Sequence, residues 1–195
     1  MSVEKHATDV SHPMRRALFL DRDGVVNEEI GYLSRSEQVH FVPGIFGLCH
    51  RAQSLDYLVI IITNQSGIAR GIYTEEDFHT LMRWMIGELA RQDIYIAGYY
   101  FCPHHPEHGV GAYRVDCQDR KPNPGMLMQA AEKFHLDLSQ SILIGDRCTD
   151  MLAGAAAGVG TLALLKGTEK KPCVAPTDAR YIQSLHEALD LLTRS

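Results

Sequence analysis

An α/β fold, a Rossmann-like doubly wound parallel sheet with helices on both faces, is predicted by three features of the sequence. Apolar β-rich runs alternate with amphipathic stretches of helical period. Residues 58–62 form a continuous apolar run, as expected of a strand covered on both faces. The runs then stop abruptly in polar residues, at Asp21-Arg-Asp-Gly24, Thr63-Asn64 and Gly145-Asp146.

Taken in order, residues 17–20 give a first strand and residues 45–55 a helix, followed by the strand at 58–62. Thr74-Glu-Glu-Asp77 opens the next helix as a variant of the capping box. Phe78, Leu81, Met82, Met85, Ile86 and Leu89 then recur at steps of three and four on one face. Asn123-Pro124 starts a helix running to about Phe134, with Pro at the first helical position. A strand at 141–144 leads into a helix capped by Thr149 and closed by Gly158, and residues 160–165 give a further strand. Residues 166–177 are expected to be a loop before a last strand and a helix at 184–192. Right-handed crossovers connect such units.

The chain of 195 residues suits one domain, expected over residues 15–195, with no large cap domain and with residues 1–14 as a polar, disordered tail. Nineteen Lys and Arg against 24 Asp and Glu give a net charge of −5, and the basic residues are scattered. Nucleic acid is therefore excluded as a partner. No signal-peptide core and no apolar run of membrane-spanning length is present, so a soluble cytoplasmic protein without a membrane partner is expected, and a monomer. Five widely spaced cysteines argue for reduced thiols, with a metal among them, rather than a disulfide framework.

In open α/β sheets, ligands bind beyond the carboxyl ends of the strands. Asp21 and Asp23, Thr63 and Asn64, and Asp146 occupy three such ends. Any one Asp there could be a turn or cap residue. Together they bring carboxylates to one spot, where mutual repulsion calls for a hard cation such as Mg²⁺. The order Asp-x-Asp-Gly, Thr-Asn, Arg120-Lys121-Pro122 and Gly-Asp-x-x-x-Asp is hard to obtain by accident.

These four segments resemble the motifs of the haloacid-dehalogenase-like phosphatases, over about residues 16–192. The resemblance implies a phosphomonoester hydrolase acting through an aspartyl-phosphate. Asp21 would be the nucleophile, Asp23 the general acid and base, and Thr63 and Lys121 the holders of phosphoryl oxygens. It also implies Mg²⁺ held by Asp21, Asp146 and the carbonyl of Asp23, with Asp150 behind them.

More narrowly, Thr63-Asn-Gln-Ser-Gly-Ile-Ala-Arg-Gly71, Cys102-Pro-His-His-Pro106 and Arg120-Lys-Pro-Asn-Pro-Gly-Met126 resemble the family of D-glycero-D-manno-heptose-1,7-bisphosphate 7-phosphatases and their histidinol-phosphatase relatives. That implies removal of the 7-phosphate in nucleotide-activated heptose and lipopolysaccharide biosynthesis. The alternatives are a histidinol-phosphatase or, more remotely, an inactive phosphosugar-binding protein. Substrate contacts then fall on Glu29, Ile30, Gly31, Tyr32, Thr63, Asn64, Gln65, Ser66, Arg120, Lys121 and Arg147, the last standing where Lys is common. Two guanidinium groups suit a second phosphate on a small phosphorylated sugar.

Both relatives bind structural Zn²⁺ through one His and three Cys in the loop corresponding to residues 102–119. Here the resemblance assigns Cys102, His104 and Cys117, and Asp119 replaces the remaining Cys. A harder carboxylate there should weaken zinc binding.

Overall fold

In the computed structural model, which describes residues 14–166 and 176–194, six parallel strands form one sheet in the order β3-β2-β1-β4-β5-β6. They are β1 Arg16–Leu20, β2 Tyr57–Asn64, β3 Ile96–Cys102, β4 Ile142–Gly145, β5 Thr161–Leu165 and β6 Arg180–Ile182. The helices are α1 Ile45–Ser54, the short α2 Ser66–Ala69, α3 Glu75–Ala90, α4 Gly125–Phe134 and α5 Cys148–Ala157.

The period of two along the strands divides the interior into two layers. Leu18 and Leu20 of β1 and Val59 and Ile61 of β2 pack toward α1 and α3. Ala17 and Phe19, with Ile60 and Ile62, pack toward α4 and α5 through Met126, Leu127, Ala130, Met151 and Ala153. Alternate residues of one apolar run thus feed opposite faces, and the core strands β1 and β2 are almost wholly buried.

α3 begins as the sequence predicts. The Thr74 hydroxyl accepts from the Asp77 amide at 3.1 Å and the Asp77 carboxylate accepts from the Thr74 amide at 2.9 Å. Two helix starts differ from expectation. Pro124 is the residue before α4 rather than its first, a shift of one position. α5 is not capped by Thr149: Arg147 precedes it, and the Asp150 carboxylate accepts the Arg147 amide at 3.0 Å. Gly158 closes α5 at φ 79°, as expected.

β3 was not expected. Its sequence Ile-Ala-Gly-Tyr-Tyr-Phe-Cys carries a glycine and no clean alternation, and as an edge strand it is only partly buried between Ile96 and Cys102. The expected helix at 184–192 is a single 3₁₀ stretch, Glu187–Leu191. Most of the expected loop at 166–177, and all but one residue of the expected tail at 1–14, lie outside the described residues. Cys49, Cys102 and Cys117 are free thiols, whereas Cys148 is disulfide-bonded, so uniformly reduced cysteines are not found.

Candidate active site

β1 lies between β2 and β4, where the strand order changes direction, and the ends of these three strands deliver the predicted polar residues to one cavity. The cavity measures about 540 Å³ and is lined by Asp21, Asp23, Thr63, Lys121 and Asp150 among others.

Just past β1 the chain turns around the Arg22 carbonyl, which accepts the amides of Val26 at 2.9 Å and Asn27 at 3.0 Å. Gly24 sits in this turn at φ +89°, and a Cβ there would overlap the Asp146 carboxylate. Gly145 answers a similar demand, since a Cβ on it would collide with the Asp150 side chain. Gly24 therefore allows the two acidic loops to approach each other, and Gly145 allows Asp150 to fold back over its own loop.

Asp21, Asp146 and Asp150 are all buried and offer carboxylate oxygens within 4.8 Å of one another. The Lys121 ammonium lies among them, 2.8 Å from Asp21 Oδ1 and 2.5 Å from Asp150 Oδ1, and donates to the Ile62 carbonyl at 3.2 Å. Burial pushes the Asp21 carboxyl well above the usual range, aided by Asp150 and Asp146 and opposed by Lys121. Burial alone would lower Lys121, but Asp150 and Asp21 outweigh it and raise its pKa.

Arg147 Nε also lies 3.9 Å from Asp146 Oδ1. A divalent cation fits this donor set, because hard carboxylate oxygens are clustered there and the space beside Asp146 is kept open by Gly24.

Asp23 lies outside that triad. Its Oδ1 accepts from Arg22 Nε at 3.0 Å and Nη2 at 2.8 Å, and from Asn27 Nδ2 at 3.1 Å; Oδ2 accepts from Arg22 Nη2 at 2.9 Å and Gln65 Nε2 at 3.1 Å. Gln65 also donates to Thr63 Oγ1 at 2.8 Å, and its own Oε1 accepts the Tyr73 hydroxyl at 2.5 Å. Burial pushes the Tyr73 hydroxyl up to about 12, so it remains a donor and fixes which way the Gln65 amide points.

Asn64 lines the cavity and also braces a neighbouring loop. Its amide brackets the Lys121 backbone, donating to the carbonyl at 3.0 Å and accepting the amide at 3.1 Å. At the mouth, Arg120 donates to Ser66 Oγ at 3.2 Å and to the His104 carbonyl at 2.9 Å. Arg147 pairs with Glu29 at 2.6 Å, and Glu29 also accepts the Gly31 amide at 2.6 Å. Glu29, Gly31 and Tyr32 line the cavity; Ile30 does not. Burial lowers the Arg120 pKa, and Arg147 and Arg70 add to this by repulsion.

Arg22, Asn27, Arg70, Tyr73 and His105 were not identified from sequence. Arg22 occupies the x of Asp-x-Asp, a position that carries no signal of its own, and the other four lie outside the strand ends where chemistry is sought.

Away from the carboxylates, Cys102, His104 and Cys117 also offer ligand atoms within 4.8 Å of one another. Asp119 does not join them; its carboxylate accepts from Gln129 on α4 at 2.6 Å. Burial pushes the Cys102 thiol up to about 12.

A D-glycero-alpha-D-manno-heptose-1,7-bisphosphate 7-phosphatase from Burkholderia mallei is 53% identical over 150 residues, which cover 77% of this chain and 79% of that one. The chain belongs to the haloacid-dehalogenase-like phosphatase family. A HAD-hydrolase-like family model matches residues 118–188 of this haloacid-dehalogenase-like chain. A D-glycero-beta-D-manno-heptose-1,7-bisphosphate 7-phosphatase from Vibrio cholerae is 44% identical over 77% of the chain and 81% of its own length. Among solved structures, the D,D-heptose 1,7-bisphosphate phosphatase from B. bronchiseptica, complexed with magnesium and phosphate, superposes with a TM-score of 0.78. It is 30% identical over 91% of this chain and 97% of that one. The open parallel sheet is thus the haloacid-dehalogenase-like fold.

Proposed function

We propose that this protein hydrolyses the 7-phosphate of D-glycero-D-manno-heptose 1,7-bisphosphate through an aspartyl-phosphate on Asp21. The observation that carries this reading is the buried cluster of Asp21, Asp146, Asp150 and Lys121 beside Thr63, in a chain 53% identical to a phosphatase of that bisphosphate.

Asp21 and Asp146, with the Asp23 carbonyl, would hold Mg²⁺, which when bound offsets the charge of the phosphate oxygens and of the carboxylates. Lys121, held by Asp21 and Asp150, stands ready to take a phosphoryl oxygen, and Thr63 offers its hydroxyl to a second. Asp21 attacks phosphorus and the sugar alkoxide leaves with a proton from Asp23. Asp23 then takes a proton from the water that opens the phosphoenzyme, which returns Asp21 and releases phosphate.

The mouth supports a bisphosphate. Arg70, Arg120 and Arg147 all line the cavity, and no carboxylate pairs with Arg120 among the described residues. A substrate bearing only one phosphate would leave Arg120 without an anionic partner. Cys102, His104 and Cys117 would hold structural Zn²⁺, with the metal displacing the proton from the buried Cys102 thiol. Metal analysis of untreated protein should find one zinc per chain, and its absence would remove this part of the reading.

The reading includes a role in nucleotide-activated heptose and lipopolysaccharide synthesis, in the cytoplasm and as a monomer whose cavity is completed by one chain. No helix among the described residues is long and apolar enough to cross a membrane.

The deciding experiment compares phosphate release from both anomers of the heptose bisphosphate and from histidinol phosphate, in Mg²⁺ and in EDTA. A magnesium-dependent preference of about tenfold or more in kcat/KM for the heptose is expected, about 1.4 kcal/mol of transition-state binding. Preference for histidinol phosphate would reassign the substrate, and no release from either would overturn the activity.

A further inference from the structure

Arg22 is the largest fully buried side chain of the described residues, only 1% exposed, and it does not line the cavity. A charge so placed needs a partner, and among the described residues the carboxylate paired with it is that of Asp23 next to it. The guanidinium meets this carboxylate as a fork, through Nε and Nη2 to Oδ1 and Nη2 to Oδ2. Behind the fork its Cζ lies 5.5 Å from the ring centroid of Phe78 on α3. The Phe78 ring in turn packs 4.5 Å from that of Phe101 on β3. The plane of the guanidinium is therefore set by the core rather than by solvent.

A buried ion pair is weak evidence of a stabilising role, since apolar packing of equal volume does as well or better. What this pair supplies is orientation. Three donors fall on Oδ1, from Arg22 twice and from Asn27, which saturates an oxygen with two lone pairs. Oδ2 accepts from Arg22 Nη2 and from Gln65, which also donates to the Thr63 hydroxyl oxygen. The Asp23 side chain, at 15% exposed, lines the cavity while the guanidinium behind it does not. The fork thus ties both oxygens to the wall and fixes the plane of the carboxylate, with Gln65 linking its Oδ2 edge to Thr63.

We infer that Arg22 is a positioning residue for the reaction: it stands behind the cavity wall, and it fixes the orientation of the Asp23 carboxylate that exchanges protons with the leaving group and with water. This rests on the proton-transfer role proposed for Asp23. Lysine at position 22 would keep the charge and lose the fork, because an ammonium is a point donor and a guanidinium a planar one.

The test uses R22K, D23N and the double variant of the full chain, with two substrates. The heptose bisphosphate has an alkoxide leaving group that needs a proton; p-nitrophenyl phosphate releases a phenolate that does not, and its first turnover reports phosphoryl transfer to Asp21 alone. R22K should lower kcat on the bisphosphate by about 10- to 100-fold, with KM within about twofold and the p-nitrophenol burst rate within about threefold. In the D23N background the same substitution should have no further effect on either substrate. Equal losses on both substrates, a loss that appears only in KM, or full additivity with D23N would overturn the inference and leave Arg22 a packing residue. If D23N itself keeps bisphosphate turnover, the proton-transfer role fails instead, which is a distinguishable result.

Discussion

The ammonium of Lys121 rests 2.8 Å from the carboxylate of Asp21, deep in the molecule, with 3% of the lysine side chain and 8% of the aspartate exposed. The pair joins the end of β1 to the segment that leads into α4, so the proposed nucleophile and the proposed holder of phosphoryl oxygens are one electrostatic unit. Lys121→Ala should leave Asp21 and Asp150 buried without their cation. A loss of about 3–5 kcal/mol is expected, read as a lower urea midpoint and partly recovered on adding Mg²⁺. An unchanged midpoint would mean that the carboxylates take up protons without strain.

Asp21→Asn removes a nucleophile and a negative charge from a crowded site. The proposed mechanism predicts a loss of about a thousandfold or more in kcat. Stability without metal should be unchanged or higher, since Asp150 and Asp146 repel the native charge. Appreciable turnover by this variant would remove Asp21 from the role assigned to it.

Far from the site, Cys49 on α1 is buried and its thiol is pushed by burial from 9.0 to about 12. The folded state keeps this proton while the unfolded chain releases it, so stability present below pH 9 is lost as pH rises toward 12. At pH 10.5 the loss from this one group is about 2 kcal/mol relative to pH 7. Urea titrations at the two pH values should show wild type falling more steeply than Cys49→Ala by about that amount. Parallel behaviour would mean that the thiolate is accommodated where it sits.

The proposed bisphosphate specificity predicts a division of labour at the mouth. Arg120→Ala should raise KM for the bisphosphate by about tenfold, with little change for a monophosphate, as expected when a charge-assisted contact to a non-reacting group is lost. Glu29→Gln should lower KM for the bisphosphate, because Arg147 then no longer has to exchange Glu29 for phosphate. A rise in KM on both substrates with Arg120→Ala would place that arginine at the reacting phosphate.

The strands that carry chemistry were legible because each is a short apolar run cut off by polar residues: Asp21, Thr63 and Asp146 could be placed at sheet ends from sequence alone. β3 was not, since Gly98 and a half-exposed aromatic run give no period to read. Asn64 illustrates a second limit. Its neighbour Thr63 faces the cavity, yet the Asn64 amide holds the Lys121 backbone across 57 residues of sequence, a contact that only the folded loop creates. Arg22 was passed over as a spacer because a buried arginine contradicts the ordinary expectation for that residue type. Asp119 could be flagged as a departure from a cysteine, but its partner Gln129 becomes visible only once α4 is in place.

The segment between β3 and α4 starts at one cysteine and is held near its other end by the backbone of a second. Cys102 ends β3, and the Cys117 carbonyl accepts the Arg120 amide at 3.0 Å and the Asn123 side chain at 3.0 Å, on either side of Lys121. The buried, proton-bound Cys102 thiol resists oxidation, whereas a modification of the partly exposed Cys117 would reach the backbone on either side of Lys121. The lysine at the floor of the cavity would then answer to a side chain that never enters it.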